Sequence, residues 1–174
     1  AMAQIRTFIA VNIAAEVIAE AQDLVAHLRG SGVKATWTKP ENMHLTMKFL
    51  GDVAEVRISD VCRCVAEAAR RHEPFWLRLA GAGAFPTLRR PRTVWLSVSE
   101  GEQAICALAD AVESLLDVEG FPKEAKKYTP HLTLARVRDA GPVTSQLSRC
   151  LRDQGDFDAG ATRIGQITVY ASHL

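Results

Sequence analysis

The tetrapeptide His44-Leu45-Thr46-Met47 recurs as His131-Leu132-Thr133-Leu134, at an offset of 131 − 44 = 87 residues, half of a 174-residue chain. Both copies follow a proline-containing turn (Pro40, Pro130) and both open an apolar run of strand character. A repeat in matching context points to an internal duplication, hence to two lobes related by a pseudo-twofold axis. Side chains alternate faces along a strand, so His44 and Thr46 share one face while Leu45 and Met47 share the other. The second copy has the same parity. The apolar pairs are expected to meet a helix-covered core, which leaves the two polar faces free to line one cleft between the lobes.

The remaining elements follow from period and punctuation. A strand is expected over residues 5–13 and a helix over 14–28, where Val17, Ile18, Ala21, Leu24, Val25 and Leu28 recur at helical spacing. Strands are expected over 34–38 and 44–50, the second ended by Gly51, with a turn at 40–42 between them. A helix over 56–71 and a strand over 75–79 come next. Segment 80–92, AGAGAFPTLRRPR, reads as an ordered loop dividing the halves. Beyond it come a strand (93–98), a helix (102–116), a basic loop (121–130), a strand (131–137), a helix (143–154) and strands at 157–161 and 166–171. The class is α+β, without the glycine-rich βαβ turns of a dinucleotide fold. One bilobal domain is expected over 1–174, with lobe cores near 14–80 and 93–160 and strands open to exchange between them.

Charge limits what the cleft can recruit. The formal net charge is only +1, so no global field gathers polyanions or membranes, and any nucleic-acid site must be local. No stretch approaches the 18 or so apolar residues of a membrane span, and the start, AMAQIRTFIAVNI, has no basic segment leading into a long apolar one. A cytoplasmic, monomeric protein is expected, with Ala1 read as left from an expression tag. Cys62, Cys64, Cys106 and Cys150 form no CxxC pair, which argues against zinc and against a disulfide framework and for small reduced hydrophobes.

Two imidazoles facing one cleft suit an in-line displacement at phosphorus. Opening a 2′,3′-cyclic phosphate requires one group to take a proton from the attacking water and another to protonate the departing ribose oxygen. An imidazole, with an ordinary pKa of about 6.5, can do either. Thr46 and Thr133 can donate to the non-bridging oxygens. The rival use of both histidines as metal ligands lacks a nearby carboxylate or cysteine on the same face. His27 and His72 read as solvated or capping on helices, and His173 as frayed at the chain end.

These segments resemble a known family. RTFIAVNI, TWTKPENMHLTMKFLGDV, GAFP with RPRTVWL, and YTPHLTLARV, spanning roughly residues 6–137, look like the 2H phosphoesterase superfamily, in its RNA 2′,3′-cyclic phosphodiesterase branch, also called 2′-5′ RNA ligase or LigT-like. The resemblance implies a bilobal α+β fold in which each lobe has an antiparallel sheet flanked by helices and the active site lies in the central cleft. It implies hydrolysis to a 2′-phosphomonoester without cofactor or metal, with His44 as proton donor, His131 as proton acceptor and Thr46 and Thr133 as phosphate ligands. Reversal of the reaction would join RNA ends through a 2′-5′ linkage. Arg136 matches an arginine that contacts phosphate in this branch. Strict alternation places it with Leu132 and Leu134, so it reaches the cleft only if the strand ends or bulges near Ala135.

RNA is expected along local basic loops, Arg89, Arg90 and Arg92 on one side and Lys123, Lys126 and Lys127 on the other. Phe85, Tyr128 and Trp37 are candidates to stack the terminal base. The other readings are a non-catalytic RNA or nucleotide-binding module on the same fold, and a phosphodiesterase for ADP-ribose 1″,2″-cyclic phosphate or 2′-5′ oligonucleotides.

Overall fold

The computed structural model describes residues 3–138 and 142–172, with the side chains of residues 142 and 143 excepted. Ala1 and His173 lie outside the described residues. In chain order the elements are β1 (Gln4–Asn12), α1 (Ala15–Arg29), β2 (Ala35–Trp37), β3 (His44–Ala54), α2 (Ile58–Arg70), β4 (Phe75–Pro86), β5 (Pro91–Glu100), α3 (Glu102–Val118), β6 (His131–Val137), α4 (Pro142–Asp153), β7 (Asp158–Ile164) and β8 (Thr168–Ala171). Periodicity located the helices because each buries one stripe. In α1 the buried residues are Val17, Ala21, Leu24, Val25 and Leu28, the i, i+4, i+7 spacing of a helix lying on a sheet.

The strands pair antiparallel in two sheets, ordered β3-β1-β8 and β2-β6-β5-β4-β7. Helices α2 and α3 pack together behind the first sheet, and α1 and α4 behind the second. The fold is therefore α+β with two helix-backed antiparallel sheets. The lobes do not follow the halves of the chain: α1 and β2, from the first half, belong with the five-stranded sheet, while α3 and β8 belong with the three-stranded one. A buried hydroxyl secures one of these exchanges, since Thr162 of β7 accepts the Ala14 amide at 2.9 Å and so caps α1 from another element.

Segment 80–92 is not a divider. β4 runs on to Pro86 and forms a hairpin with β5, so only residues 87–90 turn. The glycines misled because glycine in a strand often marks a bulge rather than an end. At Gly81 the backbone has φ +89° and the pairing with β5 skips from Leu79 to Ala82, a conformation that glycine adopts at little cost. In the same way β3 does not stop at Gly51. It pairs with β1 as far as Ala54 through a register shift between Thr7 and Phe8.

The two strands that carry the repeat share a further irregularity. On β3 the register shifts between Ile9 and Ala10, so that Lys48 faces Ile9 while Thr46 faces Ala10 and Met47 is the extra residue. On β6 it shifts between Val94 and Trp95, so that Ala135 faces Val94 while Thr133 faces Trp95 and Leu134 is the extra residue. Met47 and Leu134 are equivalent positions of the repeat, so the bulge is duplicated with the motif. Alternation inverts beyond each bulge. The burial of β6 runs intermediate, buried, intermediate, buried, buried, exposed, buried, and β3 follows the same order over its first six residues, from His44 to Phe49. Arg136 and Phe49 are thereby turned outward, and Lys48 and Ala135 inward.

Candidate active site

A cleft of about 1430 Å³ lies between the sheets, and His44, Thr46, His131 and Thr133 all line it. Leu45, Leu132 and Leu134 are buried and do not line the cleft, as the period-2 pattern required, whereas Met47, the extra residue of its bulge, is buried but also borders it. Both imidazoles are half-buried, so each is sheltered on one side and open to the cleft on the other.

The histidines are held differently. His131 Nδ1 lies 2.7 Å from the carbonyl of Thr129. A carbonyl can only accept, so Nδ1 carries the proton and Nε2 of the neutral ring keeps its lone pair. The Phe85 ring meets His131 edge-on, with centroids 5.2 Å apart. His44 instead stacks on Tyr170, with centroids 4.4 Å apart, and burial pulls its pKa below 6.5 because an apolar surround disfavours the charged ring. Tyr170 donates its hydroxyl to Oδ1 of Asn12, which fixes the plane of the stack. Each histidine thus has an aromatic guard from the strand two removed from its own, Tyr170 on β8 and Phe85 on β4.

Arg136 and Arg92 also line the cleft and are exposed. The bulge at Leu134 meets the condition that alternation set for Arg136. Of the basic residues expected at the rims, Lys126 and Lys127 line the cleft with Arg92, while Arg89, Arg90 and Lys123 do not. Phe85 lines the cleft, packed between His131 and Trp95. Tyr128 is at the cleft too, but its hydroxyl donates to the Thr46 carbonyl at 3.0 Å and burial raises its pKa, so the ring works as a brace between the two motifs. Trp37 is not part of the cleft; the Arg29 guanidinium lies over its ring at 5.9 Å.

Three aromatic residues escaped the sequence reading. Phe8, Phe49 and Tyr170 form one wall with His44: Phe8 lies 4.9 Å from Tyr170, 5.9 Å from Phe49 and 6.0 Å from His44, measured between ring centroids. Phe49 is 62% exposed, so its face is open to a ligand. The signal that could have found it is its equivalence to Arg136 in the repeat, five residues beyond the histidine in each copy.

Among the described residues no three His, Cys, Asp or Glu side chains converge as a metal site, and no helix is long and apolar enough to cross a membrane. The four cysteines are unpaired, with Cys64 buried and Cys62 exposed.

A family model described as LigT like phosphoesterase matches this chain twice, over residues 11–95 and 96–174. A Thermotoga maritima protein named RNA 2′,3′-cyclic phosphodiesterase is 36% identical over 97% of this chain and 87% of its own length. One of the same name from Aeropyrum pernix is 34% identical over 90% of this chain and 86% of its own. The crystal structure of a Thermus thermophilus protein superposes with a TM-score of 0.80 at 25% identity, covering 97% of this chain and 89% of that one. E. coli LigT, crystallised with 3′-AMP, superposes with a TM-score of 0.70 at 24% identity, over 99% of this chain and 90% of its own, a likeness of fold.

Proposed function

The chain belongs to the LigT-like phosphoesterase family, and from that premise we infer that it is an RNA 2′,3′-cyclic phosphodiesterase whose two histidines act as acid and base on one phosphorus. The observation that carries the mechanism is the pairing of His44 and His131 in a single cleft, each with its threonine beside it. In this reading water attacks phosphorus and gives a proton to His131 Nε2. The bond from phosphorus to the ribose 3′ oxygen breaks, and His44 protonates that oxygen, leaving a 2′-phosphomonoester. The Thr129 carbonyl supports His131 as the base by holding the tautomer with Nε2 free. Burial supports His44 as the donor, because a ring of lowered pKa gives up its proton more readily once the anionic substrate has drawn one onto it. Thr46 and Thr133 donate to the non-bridging oxygens, and Arg136 neutralises their charge.

The substrate is an RNA or nucleotide ending in the cyclic phosphate. Its terminal base lies on the wall of Phe8, Phe49 and Tyr170, and its strand leaves past Arg92, Lys126 and Lys127. The protein acts as a monomer in the cytoplasm, whose reducing conditions suit its four unpaired cysteines. Joining RNA ends through a 2′-5′ linkage is the same displacement with a 5′ hydroxyl in place of water: its oxygen bonds to phosphorus and gives its proton to His131, while the bond to the 3′ oxygen breaks and His44 protonates that oxygen.

The test is turnover of a nucleoside 2′,3′-cyclic phosphate in EDTA, with the product identified by phosphorus NMR. The 2′-phosphate is expected from the wild type. Loss of at least about a hundredfold is expected in His44→Ala and in His131→Ala; full rates in either variant, or release of the 3′-phosphate, would refute the scheme.

A further inference from the structure

Lys48 is a residue seldom found inside a protein, since a lysine is almost never fully buried unless paired. The bulge at Met47 turns it inward to 4% exposure. There its ammonium donates to the Pro122 carbonyl at 3.0 Å and meets Oε1 of Glu113, on α3, at 2.5 Å. The other oxygen of that carboxylate, Oε2, accepts the Glu124 amide at 2.9 Å. This ion pair, buried at the lysine and half-buried at the glutamate, therefore grips the segment between α3 and β6 at two places. Such a pair adds little net stability over apolar side chains of the same volume. What it adds here is a defined path for an otherwise irregular stretch of backbone.

The same stretch ends at the second motif. Tyr128 donates to the Thr46 carbonyl at 3.0 Å, and the Thr129 carbonyl receives His131 Nδ1–H at 2.7 Å. Two anchors of the segment are on β3, at Thr46 and Lys48, two residues apart, and a third, Glu113, is on α3. The equivalent of Lys48 in the second copy is Ala135 (135 − 48 = 87), so the repeat does not duplicate the strut, and it serves one imidazole alone.

We propose that Lys48, through its pair with Glu113, is a positioning residue for His131, fixing the segment that brings the Thr129 carbonyl to Nδ1. This rests on the reading of His131 as the base. Lys48 borders the cleft, but in this role it acts through the segment, setting which nitrogen of the other histidine is free.

The test reads the tautomer directly. In wild-type protein, nitrogen NMR of neutral His131 is expected to show the Nδ1–H form. In Lys48→Met and in Glu113→Gln the Nε2–H form gains. The kcat for a nucleoside 2′,3′-cyclic phosphate falls roughly ten- to a hundredfold, the scale of a misplaced catalytic group, with KM little changed. The paired variant Lys48→Met/Glu113→Leu strands no charge and is expected to melt near the wild type while keeping both defects. It also decides the matter if the single variants fail to fold. A folded variant with wild-type tautomer and kcat, or a paired variant in which the defects vanish, overturns the proposal. Because the tautomer is read without turnover, a wild type that hydrolyses no cyclic phosphate would refute the activity while leaving the strut to be judged on its own.

Discussion

Phe49 and Arg136 occupy the same position in two copies of one bulged strand, five residues beyond His44 and His131, and both are turned into the same cleft. The repeat places a matching histidine on each strand, but this position differs between the copies. Phe49 joins Phe8 and Tyr170 in an apolar wall, whereas Arg136, paired with Thr93 of β5, lines the cleft from the opposite lobe. A nucleotide has one aromatic end and one anionic end, so the broken symmetry gives the cleft a direction.

Phe49→Ala should weaken capture of the RNA end without unfolding the protein. Base stacking on an aromatic ring contributes about 1–3 kcal/mol, so KM for a cyclic-phosphate oligonucleotide is expected to rise roughly tenfold or more. The melting temperature should hardly move, because the ring is 62% exposed. A large fall in melting temperature with unchanged KM would mean that the ring packs the protein instead.

Arg136→Lys and Arg136→Ala separate charge from geometry. A guanidinium binds two phosphate oxygens at once, while an ammonium is a point charge. The lysine variant should therefore recover only part of the kcat/KM lost in the alanine variant, measured at low and at physiological salt. Equal rates in all three proteins would remove Arg136 from the site.

The pH profile tests whether His44 takes part in the proton transfers. Turnover needs one imidazole charged and the other neutral, so kcat/KM should be bell-shaped in pH, with one limb set by His44, whose pKa burial holds below 6.5. Tyr170→Ala uncovers the ring and lets that pKa rise toward the ordinary value. One limb of the bell should then move to higher pH while the other stays. A profile in which neither limb moves would remove His44 from the proton transfers.

Gly83→Ala tests how closely the guard of His131 is packed. A Cβ at Gly83 would overlap the Trp95 ring, which in turn packs against Phe85. Relieving that overlap should cost about 1–3 kcal/mol of stability, as other overpacked sites do, and should shift Phe85 against His131. Chemical denaturation beside kcat measures both; an unchanged midpoint would show that Trp95 has room to move.

The chain on its own determined what local pattern can carry. The histidine and threonine of each motif, their shared face, the helices and the duplication all follow from residue type at fixed spacing, and spacing is written in the sequence. What the sequence left open depended on partners remote along the chain. The bulges at Met47 and Leu134 are set by register against β1 and β5, and a single slipped residue sends Phe49 and Arg136 outward and Lys48 inward. Only tertiary pairing placed Tyr170 on His44 across 126 residues (170 − 44) and joined β4 to β5 where glycines suggested a loop. The physical reason is that alternation is a property of one strand, while register is a property of two.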